Sequence, residues 1–270
     1  MVDETNFETT FPPHISLTEY VERNHRDIDL EQVSKDTQVI AFGERHSDVL
    51  PKEFLREHLR SLRQLGFTHL ALEMVESSKQ NLIDNYRSSD LARNHLQLYL
   101  RANWYGRMGD YYFSLIDEAT KAGITVMGMD LPKEDQDQIT DTRKRLRERD
   151  RHMAGKVKMV LDTRPQARVI IFAGAGHVEK GTENSMAGIL SSENVKIVSV
   201  SIIEPKKPIP SIDKTRYMYR GAAGNKVFKS LLQPTEWVIS LWDPDRAIID
   251  SLETGKKSEL DPIKKLLENK

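Results

Sequence analysis

Val39-Ile40-Ala41-Phe42-Gly43-Glu44-Arg45-His46 and Val169-Ile170-Ile171-Phe172-Ala173-Gly174-Ala175-Gly176-His177 are the two stretches whose reading decides the fold. Each begins with four apolar residues, reaches a glycine and sets a histidine three residues after a glycine. A β-branched apolar run bounded by glycine reads as a buried strand, and the polar residues that follow emerge at its C-terminal end. The repeated Gly-x-x-His ending predicts two halves that aim their histidines at one place.

Working outward, strand and helix patterns alternate, which predicts an α/β fold: a mainly parallel sheet with helices on both faces. The strands are expected at Val39–Phe42, His69–Met74, Ile124–Met129, Arg168–Ala173 and Lys196–Ile203. After the first strand, Pro51 suits a first helical position, and Phe54, Leu55, Leu59, Leu62 and Leu65 keep helical spacing until Gly66. Further helices are expected over 78–101, 109–122 (closed by Gly123) and 134–162, the last carrying Leu146, Met153, Val157 and Val160 on one face. Residues 1–36 read as a polar lead-in, 37–205 as the core, and 206–270 as an extension. That extension opens with a Pro205–Pro210 linker, holds one strand-like segment at Trp237–Trp242 and ends in a basic C-terminus.

Composition narrows the class. Forty basic against 41 acidic residues give a net charge of -1, so no global field favours nucleic acid or an anionic membrane. With no cysteine, disulfides, thiolate zinc sites and a cysteine nucleophile are excluded. No stretch approaches the roughly 20 apolar residues of a membrane span, and the N-terminus lacks the basic and apolar regions of a leader. The expectation is a soluble chain, cytoplasmic rather than exported, acting on a small-molecule or peptide substrate.

In an open parallel sheet, ligands bind beyond the carboxyl ends of the strands. Glu44 and His46, Glu73, Asp130 and His177 all fall there. Glu73 interrupts the apolar run Leu70-Ala71-Leu72-Glu73-Met74-Val75, so its carboxylate must be paired, metal-bound or protonated. Two carboxylates and two histidines (Glu44, His46, Glu73, His177) could hold a divalent ion such as manganese or zinc, or work without metal as base and orienter. Asp150 shares a helical stripe with Leu146, Met153 and Val157, so it points inward and needs a partner. The Gly174-Ala175-Gly176 loop lacks the third glycine of a dinucleotide fingerprint, because Glu179 stands there. His58 and His95 read as packed, whereas His14, His25 and His152 read as exposed. Trp104, Tyr105, Tyr111 and Tyr112 could line a pocket or belong to the core.

These residues occur in an order that resembles a known superfamily: Gly43-Glu44-Arg45-His46, Leu72-Glu73, Trp104 with a Tyr of Asp110-Tyr111-Tyr112, Arg149-Asp150-x-x-Met153-Ala154, and Gly174-Ala175-Gly176-His177. The superfamily joins ChaN-like haem-binding proteins, Tiki and TraB proteases and erythromycin-esterase-like hydrolases. The chain most resembles its ChaN-like branch, over residues 37–203. It departs by having no cysteine to lipidate, and by Asp130 where ChaN-like sequences carry Asn. The resemblance implies an α/β domain whose site uses Glu44, His46, Glu73 and His177.

The leading expectation is a hydrolase that cleaves an ester- or amide-type bond with an activated water, because neither a cysteine nor a serine elbow is present. His46 or His177 would take the proton, while Glu44 and Glu73 orient the imidazoles or ligate a metal. Arg149 or Arg45 would steady an oxyanion, and Arg45, Trp104, Asp130 and Asp150 are the candidate substrate contacts. The alternatives are a haem-binding module without catalysis, held by tyrosine or histidine, and a silent domain that acts through its tail.

Overall fold

Every residue of β1 (Val39–Glu44) and β4 (Val169–Gly174) is buried, as strands with neighbours on both edges and helices over both faces must be. A computed structural model describes residues 28–104, 107–203, 226–229 and 237–240. The other strands are β2 (His69–Glu76), β3 (Thr125–Asp130), β5 (Ile197–Ile203), β6 (Lys226–Lys229) and β7 (Trp237–Ser240). Their order is β3-β2-β4-β1-β5-β7-β6. All neighbours run parallel except β6, which is antiparallel to β7. β6 and β7 thus continue the core sheet from within the segment expected as an extension. β6 has no counterpart in the expected strands.

Side chains alternate along each strand between two apolar layers. Ile40, Phe42, Leu70, Leu72, Ile170, Phe172, Val198 and Val200 face one layer. It is covered by α2 (Leu50–Gln64), α4 (Asp90–Asn103) and α5 (Arg107–Lys121). The smaller Val39, Ala41, Ala71, Val169, Ile171 and Ala173 face the other, under α7 (Thr142–Thr163) and α8 (Met186–Ser192). Short helices α1 (Leu30–Val33), α3 (Gln80–Asn85) and α6 (Lys133–Asp137) complete the described set.

This topology fixes where a crevice can open. β1 leads through α2, on one face, leftward to β2; β4 leads through α8, on the other face, rightward to β5. The adjacent ends of β1 and β4 are therefore the point where connections diverge, the usual ligand crevice of an open parallel sheet. The two Gly-x-x-His endings lie on these neighbours, with Gly43 opposite Ala173 and Glu44 opposite Gly174.

Several boundaries differ from expectation for local reasons. The helix expected over 78–101 is divided, because Ser89 accepts the Ala92 N–H and starts a new helix. The one expected over 134–162 is also divided, where Asp141 caps the Lys144 N–H. Leu146 is 49% exposed, not part of the apolar stripe. The buried positions of α7 begin only at Asp150, so its first turns overhang the sheet. His152 is half-buried, and its Nε2 lies 2.8 Å from Ser77 Oγ. Gly66 and Gly123 do take the left-handed conformation that ends α2 and α5 (φ 92° and 75°). Expectations for residues 1–27 with His14 and His25, for Tyr105, for the 205–210 linker and for the basic C-terminus lie outside the described residues.

Helices α4 and α5 meet where Gly109 lies against main chain: a Cβ there would stand 2.5 Å from the Arg101 nitrogen. Gly155, inside α7, faces open space. Gly109→Ala should therefore lose about 1–3 kcal/mol or more, since backbone must move. Gly155→Ala should gain about 0.4–1 kcal/mol by reducing unfolded-state freedom. Urea unfolding of both variants checks the contrast, and equal effects would contradict it.

Candidate active site

Glu73 stands at the centre of the crevice, 2% exposed. β2 and β3 pair regularly through Leu72↔Gly128 and resume only at Glu76↔Asp130, so β2 bulges across the segment that carries Glu73. Side chains take up the backbone groups left open by the bulge and by the outer edge of β3. Gln80 bridges Val126 O (3.0 Å) and Gly128 N–H (2.8 Å), the Trp104 indole N–H donates to Met74 O (2.9 Å), and the Tyr99 hydroxyl accepts from Glu76 N–H (3.3 Å). So supported, Glu73 Oε2 accepts the Gly174 N–H (2.6 Å), and Oε1 accepts from Arg149 (2.6 Å) and His177 Nε2 (3.2 Å). His46 Nε2 lies 3.7 Å from Oε2. One carboxylate thus ties together β2, β4, α7 and both Gly-x-x-His histidines. Gly174 permits the approach, because a Cβ would stand 2.9 Å from His46 Nε2.

The His177 ring is held from both ends. Its Nδ1–H donates to Asp150 Oδ1 (2.7 Å), which also accepts the Met186 N–H at the start of α8 (2.8 Å). Arg149, one residue earlier on α7, grips Asp130 through Nε–Oδ1 (2.8 Å) and a terminal nitrogen on Oδ2 (2.9 Å) while reaching Glu73.

A second buried carboxylate, Glu44, serves His46. Its Oε1 accepts His46 Nδ1–H (3.0 Å) and the Tyr112 hydroxyl (2.7 Å), and its Oε2 takes the Lys52 ammonium. Trp104 packs edge-on against the His46 ring (4.8 Å between centroids). The His46 side chain is 31% exposed, whereas that of His177 is 8% exposed.

These surroundings set the charge of His177 and Glu73. Burial alone would lower His177, but its hydrogen bonds to Asp150 and Glu73 and their charges outweigh burial and lift it to about 10. Burial would raise Glu73, yet the hydrogen bond and charge of His177, with Arg149 and His46, hold it far below the usual carboxylate range. At neutral pH, His177 is therefore an imidazolium paired with an ionised Glu73. Burial pushes Asp130 up, with Glu73 adding to the rise and Arg149 opposing it. The Tyr112 phenol is pushed far up by burial and by Glu44, so it stays protonated and donates.

The structure brings Glu44, His46, Glu73, His177 and Arg149 together. Asp130 and Asp150 join them as partners of Arg149 and His177 rather than as open substrate contacts. Trp104 is anchored to main chain at the rim, and Arg45 is exposed on the turn outside. Lys52 was not among the expected site residues. Its signal was present in sequence, because Lys52, Leu55, Leu59 and Leu62 share one helical stripe that points inward.

The donor set does not fit a divalent cation. Glu44 is already occupied by Lys52, and Glu73 by Arg149 and His177. Among the described residues, no group of three or more His, Asp or Glu is disposed to hold a metal ion. The residues expected to ligate haem iron have partners of their own. All four ring nitrogens of His46 and His177 face carboxylates, and the Tyr112 hydroxyl is buried on Glu44.

Residues 30–144 match the family described as haem-binding uptake, Tiki superfamily, ChaN. No curated protein matches the chain. Among solved structures, the type III effector HopBA1 is similar at 19% identity, over 86% of this chain and 96% of its own, with a TM-score of 0.55. An erythromycin esterase, EreC in its open conformation, is 11% identical over 85% and 95%, with a TM-score of 0.54. A succinoglycan biosynthesis protein is 10% identical over 83% and 96%, with a TM-score of 0.61. At such identities the likeness is one of fold. The family match over residues 30–144, in line with the order of motifs along the strand ends, supports a ChaN-like member of the Tiki superfamily.

Proposed function

We propose that this site hydrolyses an ester- or amide-type bond, using a water activated by His46 and no resident metal. The observation that carries the reading is the unequal setting of two histidines that share Glu73. His177 has a carboxylate within 3.2 Å of each ring nitrogen, whereas His46 has Glu44 3.0 Å from Nδ1 but Glu73 only at 3.7 Å from Nε2, on a side chain 31% exposed.

In this mechanism His46 Nε2 takes the water's proton, and the hydroxide adds to the carbonyl carbon. Glu44 stabilises the imidazolium that forms, with Tyr112 and Lys52 holding the carboxylate in place. The imidazolium then returns its proton to the leaving group as the tetrahedral intermediate collapses. His177 and Arg149 balance the charge of Glu73 beside the water. The family match also admits haem binding, and the two readings separate on simple spectra.

The direct test is a panel of esters and peptides with wild type and His46→Gln. Turnover should fall by about 100-fold or more in the variant. It should survive exhaustive chelation and take one oxygen-18 from labelled water. Loss of activity on chelation, or an acyl-enzyme trapped on serine or threonine, would overturn this mechanism. A visible band on haem titration without turnover would favour the haem-binding reading.

The pH dependence has a definite sign. Activity should fall as pH approaches about 10, where His177 deprotonates and leaves Glu73 uncompensated. Stability follows the same pair. The raised His177 contributes fully below its ordinary 6.5, and that contribution disappears as pH rises through about 10. The depressed Glu73 contributes fully above its ordinary 4.5, and its contribution disappears as pH falls toward its lowered value. Melting temperature should be insensitive to this pair between 4.5 and 6.5 and decline toward pH 10. A flat profile up to pH 10 would contradict it.

The two histidines should also differ when removed. His177→Ala leaves Glu73 and Asp150 without their shared cation and should lose about 3–5 kcal/mol. His46→Ala, at a half-exposed ring, should lose about 1 kcal/mol or less. Calorimetry or denaturant unfolding checks this, and equal losses would refute the division of roles.

A further inference from the structure

We propose that Lys52 is the positioning residue that decides which ring nitrogen of His46 carries the proton. Its ammonium gathers alternate residues of one turn around a single atom. It binds the Glu44 carboxylate, the His46 carbonyl (3.1 Å) and the Asp48 carbonyl (2.6 Å), and lies 4.8 Å from the Tyr112 ring centroid. It therefore holds the Nδ1–H acceptor and the main chain of the donor together. Glu44 can meet only Nδ1, and Nε2 is left facing Glu73 with its lone pair.

Apart from Glu44 and the two carbonyls of the turn, nothing around position 52 calls for a lysine. An ammonium in the first turn of α2 opposes the helix dipole, and removing it from water is unfavourable. Position 52 continues the stripe of Leu55, Leu59 and Leu62, where an apolar residue would pack. The side chain is 1% exposed, so its charge acts on this turn and not on solvent.

The catalytic consequence rests on the hydrolytic reading above, but the tautomer does not. Ring nitrogen-15 spectra of wild type, with His46 assigned by its loss in His46→Ala, should show neutral His46 protonated on Nδ1. Lys52→Met should give a mixture of tautomers, and turnover should fall about 100-fold with KM little changed. Lys52→Ala removes the atoms of propylammonium, and added propylamine should restore both tautomer and turnover. A Lys52→Met protein that keeps the Nδ1–H tautomer would overturn the proposal. So would failure of both variants to fold, which would make Lys52 a residue of the fold alone. Wild type that shows the expected tautomer yet hydrolyses no substrate would remove the hydrolytic reading and leave this role of Lys52 standing.

Discussion

The structure depends on one buried negative charge. Glu73 interrupts an apolar strand in the middle of the sheet, where an unpaired carboxylate is heavily disfavoured. Its compensation comes from three directions: a backbone N–H of β4, a guanidinium from α7 and an imidazolium beyond β4. Each of those groups is in turn fixed by another carboxylate or by main chain. Removing the charge would leave three oriented donors without their acceptor, so the crevice and its electrostatics form one unit.

The same charge explains why two similar Gly-x-x-His endings do different things. His177 stands between Glu73 and Asp150 and is held as a cation. His46 meets Glu44 at 3.0 Å on one side and Glu73 only at 3.7 Å on the other, and its side chain remains 31% exposed. Two strand endings with one motif are thus made unequal by the helices that meet them. Asp150 arrives on α7, and Lys52 and Tyr112 arrive on α2 and α5 from the opposite face of the sheet. The diverging connections of β1 and β4 let both sets of groups reach the same crevice.

The supports around the bulge show how polar satisfaction and site geometry are joined. Trp104 satisfies a carbonyl of β2 and also packs on His46; Gln80 and Tyr99 satisfy neighbouring backbone groups. Trp104, which reads as pocket lining or core in sequence, therefore helps β2 to leave its regular register. A bulge beside a site re-aims a side chain, and here that side chain is Glu73.

What the sequence determined by itself was the local code. The β-branched runs and their terminal glycines specify β1 and β4, and the strand–helix alternation specifies a parallel sheet covered on both faces. Glu73 inside its apolar run and Asp150 on its apolar stripe already required partners, because periodicity shows which way a residue points. The tertiary structure alone decided who those partners are. Strand order, the unequal settings of His46 and His177, and the use of Asp130 and Asp150 as supports all depend on groups distant in the chain. Leu146 was misplaced for the same reason: helical spacing gives a face, but only the end of the sheet decides how much of that face is covered. Lys52 marks the boundary most clearly. Its inward direction is written in the stripe it shares with Leu55 and Leu59, yet a lysine on such a stripe becomes intelligible only when Glu44 is seen waiting for its charge.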